Sequence, residues 1–424
     1  MAVEEHEQAR VASEASEASE ASEASEARIV AVETWRPALQ PNVVFVLVHA
    51  EDGTCGLGDA FYGAGAVETH IHDHIAPLLF GAPDAIPERV SQLCAPYAGY
   101  QGAGVELRAN GAIDIALWDL LGKRAGMPVV ELLGGPVRDE IEVYNTCAGP
   151  SYVSNSSRQE VSNWGLGANG DYEDLHAFLT SPGALAKDLL SEGIRGMKIW
   201  PFDTAAERTG GRDISAADLE QGIAIVSAIR DAVGEEMDVM VELHGLWSRR
   251  AATKICDALT PYKPSWVEDP IRSDAVDALA ALRADVDVQL ACGETCVGRR
   301  GFLPLLDRAA IDVATVDVGW TGGLTEARKV ASLADAFGVV VAPHDCSGPV
   351  SFAACVHLVL SQPNGLVQET VRSFMRTWYT ECVVGLPEVI DGRIHRPTAP
   401  GLGVDLSESL RTSPDVSRRR TSRS

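Results

Sequence analysis

Six ionisable residues close successive apolar runs of this chain at nearly even steps: Glu242, Glu268, Glu294, Asp317, His344 and Glu369. The steps are 26, 26, 23, 27 and 25 residues, and Lys198 ends the preceding run, "GMKIW". Three carboxylates brought together, Glu242, Glu268 and Glu294, repel one another unless a cation compensates them. A hard divalent ion does so. All-oxygen ligation that leaves positions for water and substrate suits Mg²⁺ better than zinc. The stretch "DVMVELHGLW" (238–247) adds a histidine to the set. If residues 239–243 form a strand, the side-chain period of two puts Glu242 and His244 on one face. A salt-bridged edge explains such a pair taken alone, but not seven polar residues in register.

Such a register needs strands. From about residue 141 to 368 short apolar runs alternate with helix-sized stretches: "IEVYNTC", "GMKIW", "VMVEL", "SWVEDP", "VQLACGET", "VATVDVGW", "VVVAPHD" and "LVQET". Strand–helix alternation implies a parallel sheet, and eight such units imply closure into a (β/α)8 barrel. The ladder then converges at the C-terminal mouth, where barrel enzymes place their chemistry. Upstream, "NVVFVLVHAEDGTCGLGDA" predicts two strands joined by a turn at Asp52 and Gly53, and "GAIDIALWDLLGKRAG" predicts a helix closed by glycine. The fold class is thus α/β, a (β/α)8 TIM-type barrel preceded by a smaller α+β domain; the resemblance described below implies a modified barrel with that N-terminal domain as its cap. The expected domains are a disordered acidic tail of "SEA" repeats (1–27), the cap (28–140), the barrel (141–380), a segment returning to the cap (381–406) and a disordered basic tail ending "SRRRTSRS" (407–424). His70, His72 and His74 are not spaced as adjacent ligands on a helix, and predict a solvated surface.

Composition narrows the function. The net charge of −25 argues against nucleic acid or an anionic membrane surface as partner. No apolar run approaches the roughly 20 residues that span a bilayer. Nine cysteines without metal-finger spacing read as reduced thiols, and so as a cytoplasmic protein.

With "MKIW", "VELH", "WVEDP", "CGET", "VDVGWTGG", "APHDCSGP" and "IALWDLLGK", the chain resembles the enolase superfamily in its mandelate-racemase-like branch, from Ile29 to Asp405. The resemblance implies abstraction of the proton α to a carboxylate, with Glu242, Glu268 and Glu294 holding Mg²⁺ to stabilise the enediolate. His344 is then the candidate base, with Asp317 orienting its imidazole. Lys198 would steady the substrate carboxylate, and Glu369 would hydrogen-bond it. The family often has Lys-x-Lys where this chain has Lys198-Ile199-Trp200, so the second base of a racemase is a tryptophan here. Trp200 is a candidate substrate contact or a packing residue. His244 matches the branch resembling mannonate and galactonate dehydratases, in which a histidine two residues past the metal ligand is the general acid. That implies a small-molecule sugar acid losing its 3-hydroxyl to give a 2-keto-3-deoxy acid, and the resemblance implies a homo-oligomer. An epimerase or lactone cycloisomerase using the same enediolate is the alternative, and a catalytically silent metal-binding relative a remote one.

Overall fold

The computed structural model describes residues 28–82, 84–95, 102–158, 160–167 and 171–423; the acidic repeat lies outside the described residues. β1 (Ile29–Pro37), β2 (Val43–Ala50) and β3 (Cys55–Phe61) form an antiparallel meander. β2 and β3 turn at Asp52–Gly53 as expected, with Asp52 Oδ1 accepting from the Thr54 N–H at 2.9 Å. The helix Val105–Ala125 lies directly on β3. Gly56 and Gly58 allow this approach: a Cβ there would stand 1.9 or 2.0 Å from the carbonyl oxygens of Ala116 and Ala112. Ile113, Leu117 and Leu120 of that helix join Val32, Val46 and Ile71 in the cap's own core.

Eight parallel strands follow: β4 (Glu140–Thr146), β5 (Gly196–Ile199), β6 (Asp238–Glu242), β7 (Trp266–Glu268), β8 (Leu290–Cys292), β9 (Val313–Ala314), β10 (Val340–Val341) and β11 (Gln368–Thr370). Each pairs with the next from β4 to β10, and β11 pairs back onto β4. The Leu366 N–H, 2.8 Å from the Val341 carbonyl, joins β10 to the approach of β11 and closes the barrel. Tyr144, Met240, Trp266, Ala291, Val313 and Ala342 fill its floor. Between β4 and β5 the described residues form one 3₁₀ turn (Val161–Asn163) before the helices Asp174–Thr180 and Pro182–Ser191.

The residues after β11 do more than return to the cap. β12 (Val383–Val384) pairs with β15 (Asp405–Leu406), and the hairpin of β13 (Val389–Ile390) and β14 (Arg393–His395) lies on the start of β4. Gly401 and Leu402 meet the cap: the Leu402 N–H donates to Asp119 at 2.8 Å. The expected disordered basic tail is instead β16 (Val416–Ser422), antiparallel to β1 along seven residues. An open edge on β1 would leave its outer N–H and C=O groups unpaired. The arginines suit that edge, because Arg420 pairs with Glu33, Arg419 with Asp73, and Arg418 lies over Trp35. His72 departs from its expected solvated position for the same reason: it is buried, with its ring nitrogens at Thr34 and Thr421.

Cap and barrel are joined by buried carboxylates that cap helices. Asp59 at the end of β3 accepts from the Val350 and Ser351 N–H groups and the Ser351 hydroxyl, at the start of the helix Pro349–Ser361. Asp114 accepts from the Thr325 N–H at the start of Leu324–Ala336, and the Trp118 indole donates to the Thr325 hydroxyl. These satisfy helix N-termini that would otherwise be orphaned. Between them Gly111 sits so close to the Gly319 carbonyl oxygen that a Cβ would stand 2.1 Å away.

His357 adds a third link. Its Nδ1 accepts the Val130 N–H at 2.9 Å, which requires the neutral imidazole, and burial pulls its pKa down to about 4 from 6.5. Above pH 6.5 neither folded nor unfolded chain is protonated there. As pH falls toward 4 the unfolded chain takes up a proton that the folded one refuses. This group should therefore remove roughly 3 kcal/mol of stability across that window. Urea unfolding at pH 7.5 and pH 5 should show a smaller loss for His357→Asn than for the parent; equal losses would contradict the assignment.

Candidate active site

Alternation along the barrel strands builds the site in layers. Met240 and Trp266 belong to the floor, so Glu242 and Glu268, two residues on, stand one layer higher on the inner face. Glu294 follows β8 after Gly293, whose φ of 140° lets the chain turn inward. One oxygen from each of Glu242, Glu268 and Glu294 can be chosen so that all lie within 4.8 Å of one another. Lys198 reaches them from β5. Its Nζ is 3.1 Å from Glu268, 2.9 Å from Glu369 and 3.8 Å from Glu242.

Burial and mutual repulsion govern the protonation of this group. Burial pushes Glu268 well up, opposed by Lys198 and reinforced by Glu242 and Glu369. Glu294 is also raised, by burial first. One ammonium does not neutralise three clustered carboxylates, and Glu242 Oε2 is buried without a hydrogen-bond donor. An all-oxygen set with an orphaned oxygen fits a hard divalent cation.

Two histidine–aspartate pairs stand above this layer. Asp317 and His344 follow β9 and β10 and are joined by a parallel bridge. His344 Nδ1 is 2.8 Å from Asp317 Oδ2, and its Nε2 is 3.1 Å from Glu294. Asp317 Oδ1 accepts the Trp320 N–H at 2.6 Å, which fixes the carboxylate. Burial lowers the His344 pKa, but Glu294, Glu369 and Asp317 outweigh it and the net direction is well up. On the other side His244 Nδ1 lies 2.7 Å from Asp203. Burial again opposes, and Asp203 with Glu242 pushes His244 up to about 10. β6 is the third barrel strand and β10 the seventh, so the two imidazoles face each other across the mouth.

His244 arrives there by a route that simple alternation does not describe. β6 ends at Glu242, and His244 adopts a left-handed φ of 51°. A non-glycine residue held there costs about 1–3 kcal/mol. Glu242 Oε1 offsets this by accepting the N–H groups of Leu243 and His244 at 2.9 and 2.6 Å.

A cavity of 470 Å³ opens over these groups, lined by Lys198, Trp200, Glu242, His244, Glu294 and His344 from the barrel. Trp200 lines it and packs against Tyr152, Trp164 and Phe178 of the segment between β4 and β5, not against the cap. Glu369 is a correction. It is fully buried and does not line the cavity, because its oxygens accept from Thr146, Lys198 and the Asp345 N–H. In this structure it holds Lys198. Asp203 and the cap residues Tyr62 and Arg108 were missed by sequence reasoning. Asp203, five residues past Lys198 in "KIWPFD", was findable as an acid just beyond a strand end; the cap residues carry no periodic signal.

A barrel carrying such a mouth beneath an α+β cap defines a class, and the comparisons agree with it. Residues 183–410 match the enolase C-terminal domain-like family, and residues 23–134 match the mandelate racemase / muconate lactonizing enzyme N-terminal domain. The chain belongs to the enolase superfamily, in the mandelate racemase / muconate lactonizing enzyme family. It is an enzyme whose curated relatives are hydro-lyases. It is 30% identical to a D-galactonate dehydratase of Ralstonia nicotianae, over 92% of this chain and 96% of that one. A second, from Ralstonia pickettii, is also 30% identical, over 90% and 93%. An enolase of the mandelate racemase subgroup from Agrobacterium tumefaciens superposes with a TM-score of 0.81 at 41% identity, covering 93% of this chain and 99% of that one. An enolase protein from environmental sequencing of the Sargasso Sea gives 0.82 at 38%, over 94% and 100%.

The charge balance is directly testable. Lys198→Met leaves buried carboxylates without their ammonium and should cost about 3–5 kcal/mol in urea unfolding. Saturating Mg²⁺ should recover part of the loss. An unchanged midpoint without added metal would show that Lys198 does not carry the compensation.

Proposed function

We propose that this enzyme is an acid-sugar dehydratase that binds Mg²⁺ through Glu242, Glu268 and Glu294. The observation that carries the reading is the pair of histidine–aspartate dyads facing each other above the carboxylate cluster. The names of the curated relatives support dehydration.

When bound, the cation would neutralise the charge that builds on the substrate carboxylate, and would also relieve the carboxylate field on both imidazoles. The remaining chemistry belongs to the chain. Asp317 takes Nδ1 of His344 and leaves Nε2 as the atom that removes the α-proton. Lys198, held by Glu369 and Glu268, presents its ammonium to the carboxylate end. The α C–H electrons are first held as the enediolate of the substrate carboxylate, and in a second step they form the C2–C3 double bond as the bond to the 3-oxygen breaks. His244, held by Asp203 and pushed toward its protonated form, supplies the proton with which hydroxide leaves as water. Base and acid on opposite sides give an anti elimination, and the enol product tautomerises to the 2-keto-3-deoxy acid. Trp200 walls the His244 side against water.

One observation favours a second reading. Two opposed dyads also suit an epimerase that removes a proton on one face and returns one on the other, although the second-base lysine of the family pattern is Trp200 here.

His244 separates these readings. In His244→Asn dehydration should fall by roughly 100-fold or more, the scale of a general acid. Exchange of the α-proton with D₂O, which needs His344 alone, should persist in the same variant on the same acid sugar. Undiminished dehydration would remove His244 from the mechanism, and a 2-epimer as the sole product of the parent enzyme would favour the epimerase. Metal binding can be read without turnover. Mg²⁺ should raise the melting temperature of the parent protein, and Glu294→Gln should need at least about tenfold more Mg²⁺ for the same rise; equal titrations would refute the ligand set.

A further inference from the structure

The cavity over the barrel mouth is completed by the cap, and the cap contributes a charge that the dehydration chemistry does not use. Arg108 lies in the first turn of the helix Val105–Ala125, after the N-cap Gly104, and lines the same cavity as Lys198 and His344. Its guanidinium stands 5.1 Å from the centre of the Trp320 ring and 5.9 Å from that of Tyr62. The two rings are 5.6 Å apart, so they form a shelf that fixes its plane. Trp320 is in turn 5.2 Å from the His344 ring, which puts the guanidinium one aromatic ring beyond the base.

What Arg108 lacks is an anion. Among the described residues no carboxylate lies within ion-pairing distance of it, and its Nε is buried without a hydrogen-bond acceptor. The nearby carboxylates of Asp317 and Glu294 are engaged by the Trp320 N–H and by His344. Ring contacts orient a cation but do not neutralise it. A positive side chain in the first turn of a 21-residue helix also opposes the helix dipole, whose positive end lies there. Neither packing nor helix stability explains an arginine at this position. A ligand anion explains its place on the cavity wall, since the same helix end favours negative charge.

We propose that Arg108 is a specificity residue that binds a second carboxylate, so that the substrate is a dicarboxylic acid sugar rather than a monocarboxylic one. One carboxylate lies at Lys198 and the glutamate cluster, and the other, at the far end of the carbon chain, reaches the guanidinium under the cap. A planar guanidinium matches a carboxylate with two parallel N–H···O bonds. The hydroxymethyl end of a monoacid can accept hydrogen bonds but leaves the half-buried charge uncompensated. The inference rests on the dehydratase reading and goes beyond it.

The test uses full-length enzyme with Mg²⁺ and matched pairs of six-carbon diacid and monoacid sugars that share stereochemistry at C2 and C3. Formation of 2-keto-3-deoxy product is measured in each case. The parent enzyme should prefer the diacid in kcat/KM. Arg108→Met should reduce that preference by roughly 10- to 100-fold, mainly through KM, and Arg108→Lys should restore part of it. Diacid affinity measured by calorimetry in the slow His344→Asn background should weaken on adding Arg108→Met. A parent enzyme that prefers monoacids, or an Arg108→Met variant that slows both substrates equally, would overturn this inference and leave the dehydratase reading standing. Absence of dehydration and of α-proton exchange with every acid sugar tried would overturn both.

Discussion

Negative charge concentrated at the mouth of a barrel is the condition to which the rest of the site answers. Glu242, Glu268, Asp317 and Glu369 are all buried, and Glu294 is close beside them. Carboxylates out of water are costly unless each has a cation or a donor directed at it. The site supplies these one by one. Lys198 bridges Glu268 and Glu369, and His344 sits between Asp317 and Glu294. Backbone N–H groups of His244, Trp320 and Asp345 serve Glu242, Asp317 and Glu369. What remains uncompensated is local, at Glu242 Oε2, and it marks the place for an ion. Each imidazole is tied by its Nδ1 to an aspartate, His344 to Asp317 and His244 to Asp203.

The same residue type does different work between the domains. Burial raises Asp59 to about 6 and Asp114 to about 7 although both accept backbone N–H groups. They spend their oxygens on the first turns of barrel helices, where the helix dipole favours negative charge. The cap is thereby fastened to helix N-termini that border the mouth: the helix capped by Asp59 begins five residues after His344, and the one capped by Asp114 begins seven after Asp317. The surface that closes the cavity and the residues that react in it are thus set by one group of hydrogen bonds.

Much of this was legible in the sequence because a closed barrel repeats itself. One strand, one helix and two loops take about 25 residues, so residues that end strands recur at that interval and can be recognised without structure. Glu242, Glu268, Glu294, Asp317 and His344 were visible for that reason. His244 was visible through the wrong geometry: alternation predicted a shared face, while the chain turns through a left-handed residue to reach the cavity. Glu369 fitted the ladder but not the cavity, since a strand-end position says nothing about which neighbour claims the side chain first. Arg108 was silent, on a cap helix without relation to the barrel repeat, and Asp203, at the start of the helix Asp203–Thr209, was marked only by its place just beyond the strand of Lys198. β16 was hidden by composition. A run of arginines reads as solvated until its neighbours are known to be Glu33, Asp73 and Trp35.

That last strand has a consequence for how the protein is made. β1 and its outer neighbour β16 lie nearly 400 residues apart in the chain. Throughout translation the cap sheet therefore presents a bare edge of unpaired backbone groups, the kind of surface on which other chains dock as additional strands. The barrel strands lie between β1 and β16 in the chain, so the barrel can form before this edge is covered. Nascent or prematurely terminated chains should thus be the sticky species, and Glu33 and Asp73, which later receive arginines, are the charges that guard the edge in the meantime.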